Sequence, residues 1–177
     1  MILLLIMKNI HLNTHPIVQD RLTKIRDKGT SNADFRKYLS EIAVFLCTDA
    51  TQNMRTTPVT VETPLTSYDG VELNGTPLII PILRAGLALS EGMARLLPQA
   101  DTGGSMIATL DILIREGTKI EDIVIVTLLC APEGIKALQE KYPSIPVYTA
   151  AIDDHLNENA FIVPGLGDAG DRFFGTD

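Results

Sequence analysis

Thr102-Gly103-Gly104-Ser105 stands directly before Ile107, Leu110, Leu113 and Ile114, which recur at helical spacing. Paired glycines let a backbone approach an anion closely, and the free N–H groups and dipole of a helix start favour negative charge. The Thr and Ser hydroxyls would add donors. The same four residues also make an ordinary helix cap, so alone they mark only a candidate phosphate cradle. No Lys-Ser/Thr pair follows a glycine at P-loop spacing, and the chain is expected to lack a G-x-G-x-x-G dinucleotide fingerprint.

Two further segments could do chemistry. In Pro81-Ile82-Leu83-Arg84-Ala85-Gly86 an apolar run ends in Arg, a small residue and Gly. An Arg at the carboxyl end of a central strand lies where open α/β sheets bind ligands and can grip a phosphate with two N–H groups. A solvated Arg after a strand reads the same way. Near the C-terminus, Phe161 to Asp171 packs glycines, a proline and two aspartates into a stretch read as neither helix nor strand. Such a rigid loop presents backbone donors and acceptors that suit a planar ligand with an imide edge, with Ile162 and Val163 as its anchor. His15 and His155 read as capping or surface residues. Asp153-Asp154 reads as a solvated strand end at least as well as a metal site.

These residues need elements to hold them. Thr14 caps a first helix with Pro16 in its first turn, and Gly29 closes it. Ser31 or Asn32 caps a second near Asp34 to Thr51, whose Phe35, Leu39, Ile42 and Leu46 form an apolar stripe. Val59 to Leu65 and Val71 to Leu73, with turn pairs Asp69-Gly70 and Asn74-Gly75, predict an antiparallel ribbon. Pro77 to Leu83 suits a central strand buried on both faces. Helices follow at Gly86 to Leu97, Ser105 to Arg115 and Pro132 to Lys141, with strands at Asp122 to Leu129 and Val147 to Ile152. The alternation predicts an α/β fold with a mainly parallel, five-stranded-type sheet flanked by helices and a small ribbon arm.

The 177 residues suit one domain, and 45% hydrophobic with 21% charged is enough apolar material for a core. A formal charge of −7 argues against nucleic-acid or membrane-surface partners, which need a positive field. Cys47 and Cys130 have no paired spacing and read as small apolar residues in a reducing, cytoplasmic setting. Met1 to Met7 is too short to span a bilayer and reads as a core or interface strand, or as an artefact if translation starts at Met7. One feature breaks the alternation: a helix ending near Leu97-Pro98 feeds the glycine loop with no strand between. A phosphate loop is normally held by an upstream strand. A segment is missing around residues 100–102.

With PILRAG (Pro81 to Gly86), TGGS, Ala131-Pro132-Glu133-Gly134, Tyr148 to Asp153, Leu156-Asn157-Glu158 and PGLGDAGD ending in FGT (Pro164 to Thr176), the chain closely resembles the uracil phosphoribosyltransferases. The resemblance runs from about His15 to the end. It implies the type I phosphoribosyltransferase fold and transfer of a phosphoribosyl group from phosphoribosyl pyrophosphate (PRPP) to uracil, giving UMP and pyrophosphate. By that resemblance Arg84, Thr102, Gly103, Gly104, Ser105 and Asp168 bind PRPP, and Ile162, Gly167, Asp168 and Ala169 bind uracil. It also implies Mg²⁺ with the pyrophosphate, a possible GTP activator, a homodimer or higher homo-oligomer, and no protein nucleophile. The family's mobile hood and the core strand before TGGS, with its Asp-Pro-Met-Leu-Ala run, are absent from the chain.

Overall fold

The computed structural model describes residues 9–98 and 105–176. The run Met1 to Met7, Thr102 to Gly104 and the junction at 100–102 lie outside the described residues.

Three strands form a parallel sheet in the order β1 (Ile10–Leu12), β5 (Val147–Ile152), β4 (Ile125–Cys130). Ile10 and Ile125 both stand opposite Val147, and Cys130 stands opposite Ile152. Central β5 is buried from Val147 to Ala150, as its continuous apolar run requires. Helices α1 (Pro16–Arg26), α2 (Asn32–Thr51) and α3 (Ala85–Met93) supply one core with Val18, Phe35, Leu39, Ile42 and Ala88, against Val126, Leu128 and Ala150 of the sheet. Helices α4 (Met106–Arg115) and α5 (Pro132–Lys141) supply the second, where Leu110, Leu138 and Tyr142 meet Ile125 and Val147. The ribbon pairs β2 (Thr56–Glu62) with β3 (Ser67–Leu73), and a short hairpin pairs β6 (His155–Leu156) with β7 (Ile162–Val163). Helix α6 (Ala169–Phe174) ends the fold. No helix of the described residues is long and apolar enough to cross a membrane.

Several expectations shift. His15, not Thr14, caps α1: its Nδ1 accepts the Ile17 amide at 3.2 Å. Asp69-Gly70 is no turn. Gly70 pairs with Val59 inside the ribbon, and the reversal is at Thr63 to Thr66, where the Thr63 hydroxyl bonds that loop's backbone. Pro77 to Leu83 is not a ladder strand: Ile79 makes an isolated bridge, and its amide donates to the Pro98 carbonyl at 2.8 Å. The paired sheet of the described residues therefore has three strands rather than five. The stretch Phe161 to Asp171 does contain regular structure, β7 and the start of α6, because Asp168 caps the helix by accepting the Asp171 amide.

Ala160 turns the β6–β7 hairpin at φ +62°, where a Cβ is disfavoured. Its amide bonds the Asn157 carbonyl at 2.9 Å, and the Asn157 side chain accepts the Asn159 and Phe161 amides. Ala160→Gly should raise stability by about 1 kcal/mol. A urea midpoint that falls or stays put would contradict the strain.

Candidate functional site

The carboxyl ends of β4 and β5 deliver Cys130 and Asp153 to one edge of the sheet, the edge at which open α/β sheets take ligands. The Asp153 amide donates to the Cys130 carbonyl at 2.8 Å, tying the two strand ends together. Over this edge lies the segment Pro164 to Asp168, which with Arg26, Lys28, Asp171 and Arg172 lines a cleft of about 540 Å³.

That loop is held from below. Asp153 is not solvated but 6% exposed, and its carboxylate takes a two-armed ion pair from Arg26 at 2.7 and 2.5 Å. The Gly165 amide donates to the same carboxylate, and the Gly165 carbonyl accepts from Arg26, both at 2.8 Å. Burial works to raise the Asp153 pKa, but the Arg26 and Gly165 hydrogen bonds and the Arg26 charge outweigh it and hold the group below its ordinary value. Its contribution to stability is therefore complete above the ordinary carboxylate range and is lost as pH falls through the lowered folded value. Arg172 adds a second stitch, donating to the carbonyls of Ile25, Leu166 (3.1 Å) and Asp27 (2.8 Å) while lying over the Phe35 ring. Gly165 at φ +58° and Gly167 at φ +79° turn the chain as few other residues could.

Arg84 reaches this loop from the start of α3. Its guanidinium pairs with Asp171 at 3.1 Å, and that carboxylate also accepts the Thr176 hydroxyl at 2.8 Å. The Thr176 bond first, and then the Arg84 pairing, lower the Asp171 pKa against the opposing effect of burial. A Cβ on Gly170 would stand 3.4 Å from the Arg84 Cβ and 3.6 Å from its Cζ, so the bare glycine lets the Arg stem lie along the first turn of α6. The structure thus brings Arg84 against Gly170 and Asp171, in the helix that Asp168 caps and Ala169 opens, while Gly167 lies in the loop before it and Ile162 in β7. Ser105 holds the N-cap position of α4, and its side chain makes no capping bond. Burial pushes both thiols up, so neither Cys47 nor Cys130 is primed as a nucleophile.

Gly165-Leu166-Gly167-Asp168-Ala169-Gly170 does spell G-x-G-x-x-G, against the expectation that the chain has no such fingerprint. Its setting is different: it follows an antiparallel hairpin strand and opens a helix of 6 residues, with no parallel strand–helix–strand unit around it. Arg26 and Arg172 were not singled out by sequence, Asp171 was read only as part of the loop, and Asp153 was weighed as a solvated strand end or metal site, not as the partner of Arg26. Arg26 and Asp153 lie 127 residues apart, so no local pattern could join them.

The family model described as uracil phosphoribosyltransferase matches the chain in two stretches, residues 12–102 and 98–176. A uracil phosphoribosyltransferase of Dictyoglomus turgidum is 43% identical over 202 aligned positions, which take in 92% of this chain and 97% of the relative. One of Streptomyces griseus is 38% identical over 209 positions, 94% of this chain and 98% of the relative. Among solved structures, the AQ2163 protein from Aquifex aeolicus superposes with a TM-score of 0.79 at 25% identity, covering 95% of this chain and 99% of that one.

Proposed function

The chain belongs to the uracil phosphoribosyltransferase family and is a pentosyltransferase of pyrimidine salvage, and from that premise we propose how its residues divide the work. Arg84, Thr102, Gly103, Gly104, Ser105 and Asp168 hold PRPP. The glycine loop cradles the 5′-phosphate through backbone N–H groups, and Arg84 grips the pyrophosphate. Ile162, Gly167, Asp168 and Ala169 receive uracil, whose imide edge matches backbone donors and acceptors. The single observation that carries this division is the juxtaposition of Arg84 with the first turn of α6, which puts the donor's cation beside the loop assigned to the base.

The reaction is a displacement at the anomeric carbon. A uracil nitrogen forms the new bond, the bond to the pyrophosphate oxygen breaks, and the nitrogen's proton leaves to solvent. Positioning the two substrates and stabilising the departing charge supply the rate. Among the described residues no group of three His, Cys, Asp or Glu side chains forms a cage for a metal. That suits Mg²⁺ carried on the pyrophosphate, which needs only one or two carboxylates beside phosphate oxygens and water. Asp168 and Asp171 would face it, and the ion when bound would neutralise the leaving group.

The test is UMP formation from uracil and PRPP by the full chain, with Asp168→Asn beside it. Asn keeps the cap oxygen that accepts the Asp171 amide, so the helix should survive while turnover falls at least about tenfold. No uracil-dependent UMP from the unaltered chain would overturn the reading, and an unimpaired Asp168→Asn would overturn the assignment of Asp168. GTP added to the same assay tests the activator.

The domain reading is one phosphoribosyltransferase domain from which a hood and core strand are missing around 100–102. Two features support it: the family match breaks in two at 98–102, and the relatives align over more positions than the chain has residues. A chain whose codons 100–102 are contiguous and which still makes UMP at the rate of its relatives would show that no needed hood or strand is missing and sink it. A homo-oligomer is supported by the ribbon, which exposes Val61, Leu65, Tyr68, Val71 and Leu73. A monomer mass in sedimentation would refute that state.

A further inference from the structure

We infer that Arg26 and Asp153 are positioning residues for the pyrimidine: their ion pair holds both polar backbone groups of Gly165 and so sets the height and direction of the base-recognition loop. The inference rests on the proposed role of that loop and extends it to residues outside the substrate shell. Arg26 sits in the last turn of α1, where a cation is favoured by the helix dipole. Asp153 sits at the end of β5, its own amide bound to the end of β4. The pair therefore joins a helix end, two strand ends and the loop.

Its arrangement is more specific than stability requires. A buried ion pair is weak evidence for stability, because desolvation of both groups offsets much of their attraction. Here the Asp153 side chain is 4% exposed, and both its oxygens are engaged, one by an arm of Arg26 and the other by the second arm and the Gly165 N–H. Arg26 in turn spends one of its donors on the Gly165 carbonyl. With its amide and carbonyl both fixed, Gly165 cannot rock about its own axis. Arg172 fixes the next carbonyl, at Leu166. Among the described residues the amides of Gly167 and Ala169 donate to no protein acceptor, so the held part of the loop ends where the Gly167 to Ala169 stretch assigned to uracil begins. A lysine could keep the charge of Arg26 but not the fork, and an asparagine keeps one oxygen for Gly165 and one Arg26 arm but sets its own N–H donors against the other arm and gives up the charge.

Steady-state kinetics on full-chain Arg26→Lys and Asp153→Asn test this. Both should raise KM for uracil by about tenfold or more while KM for PRPP stays within about threefold, since a shift of the order of an ångström in a substrate-positioning group costs up to about a hundredfold. A merely structural role would lower the active fraction, so kcat would fall with both KM values unmoved. That result, unchanged kinetics, or an equal rise in both KM values would overturn the inference. If neither variant folds, amide hydrogen exchange of the unaltered protein decides it. The Gly165 amide should exchange far more slowly than that of Gly167, and equal exchange would refute the clamp. An unaltered chain that makes no UMP from uracil would instead refute the reading of the loop.

Discussion

Gly165→Ala is expected to lower kcat/KM for uracil by about a hundredfold or more, because it moves the loop proposed to receive the base where that loop has no freedom to yield. A Cβ at this position would stand 2.0 Å from the Ile162 carbonyl oxygen and 2.9 Å from its carbon, far inside contact distance, and those are backbone atoms of β7 that cannot swing aside. The residue also holds φ +58°, which costs an L-residue about 1–2 kcal/mol before any overlap is counted. Relief would require rotating the peptide, yet its amide is bound to Asp153 and its carbonyl to Arg26. The variant must either break that buried pair or displace Gly167 to Ala169. At Gly134, by contrast, a Cβ would meet nothing within 4 Å, so the penalty at Gly165 belongs to the site and not to glycine replacement in general. Stability should fall by at least about 2 kcal/mol. Urea denaturation and uracil kinetics measure the two effects separately. An unchanged uracil KM together with an unchanged midpoint would show that the loop tolerates the methyl group and is not fixed as described.

What could be read in the sequence was what local chemistry decides. Helix α5 and strand β5 stand where expected because Pro132 fits a first helical turn and Val147 to Ile152 is a run that only a buried strand satisfies. Pro77 to Leu83 misled because an apolar run looks the same whether or not a neighbour completes its ladder; in the structure Ile79 finds only a bridge. The final helix was hidden by its glycines and aspartates, although Asp168 as cap and Gly175 at φ +70° just past Phe174 are the ordinary signals of a helix start and stop. Arg84 and Asp168 could be proposed from sequence because each sits in a motif whose types suit phosphate or base chemistry. Arg26 and Asp153 could not. Their meaning lies in a contact between a helix end and a strand end, and Asp153 seen alone reads as a surface carboxylate.

Arg84→Ala should cost about 100- to 1,000-fold in kcat/KM for PRPP, the range for removing a preorganised donor to a developing negative charge, while barely touching stability. The two halves of this expectation have separate causes. In the free protein Arg84 pairs with Asp171 across side chains 58% and 36% exposed, and such surface pairs contribute about 0–1 kcal/mol. Asp171 keeps its Thr176 partner when the guanidinium is gone, so no carboxylate is left stranded. With pyrophosphate present the situation reverses. The chain carries a formal charge of −7, so its overall field opposes a polyanion, and attraction must come from local groups such as this cation and the glycine-loop amides. On the proposed assignment of Arg84 to the donor site, the exposed pairing with Asp171 would act as an aiming device, holding the guanidinium over α6 and releasing it at little cost to arriving phosphate oxygens. Arg84→Lys should recover part of the loss, since it keeps the charge and forfeits the two-pronged grip. The uracil KM should stay within about threefold, because the base loop is held by Arg26, Asp153 and Arg172 rather than by Arg84. A near-normal kcat/KM for PRPP in Arg84→Ala would remove Arg84 from the donor site, and a large fall in the melting temperature would show that its pairing with Asp171 is structural.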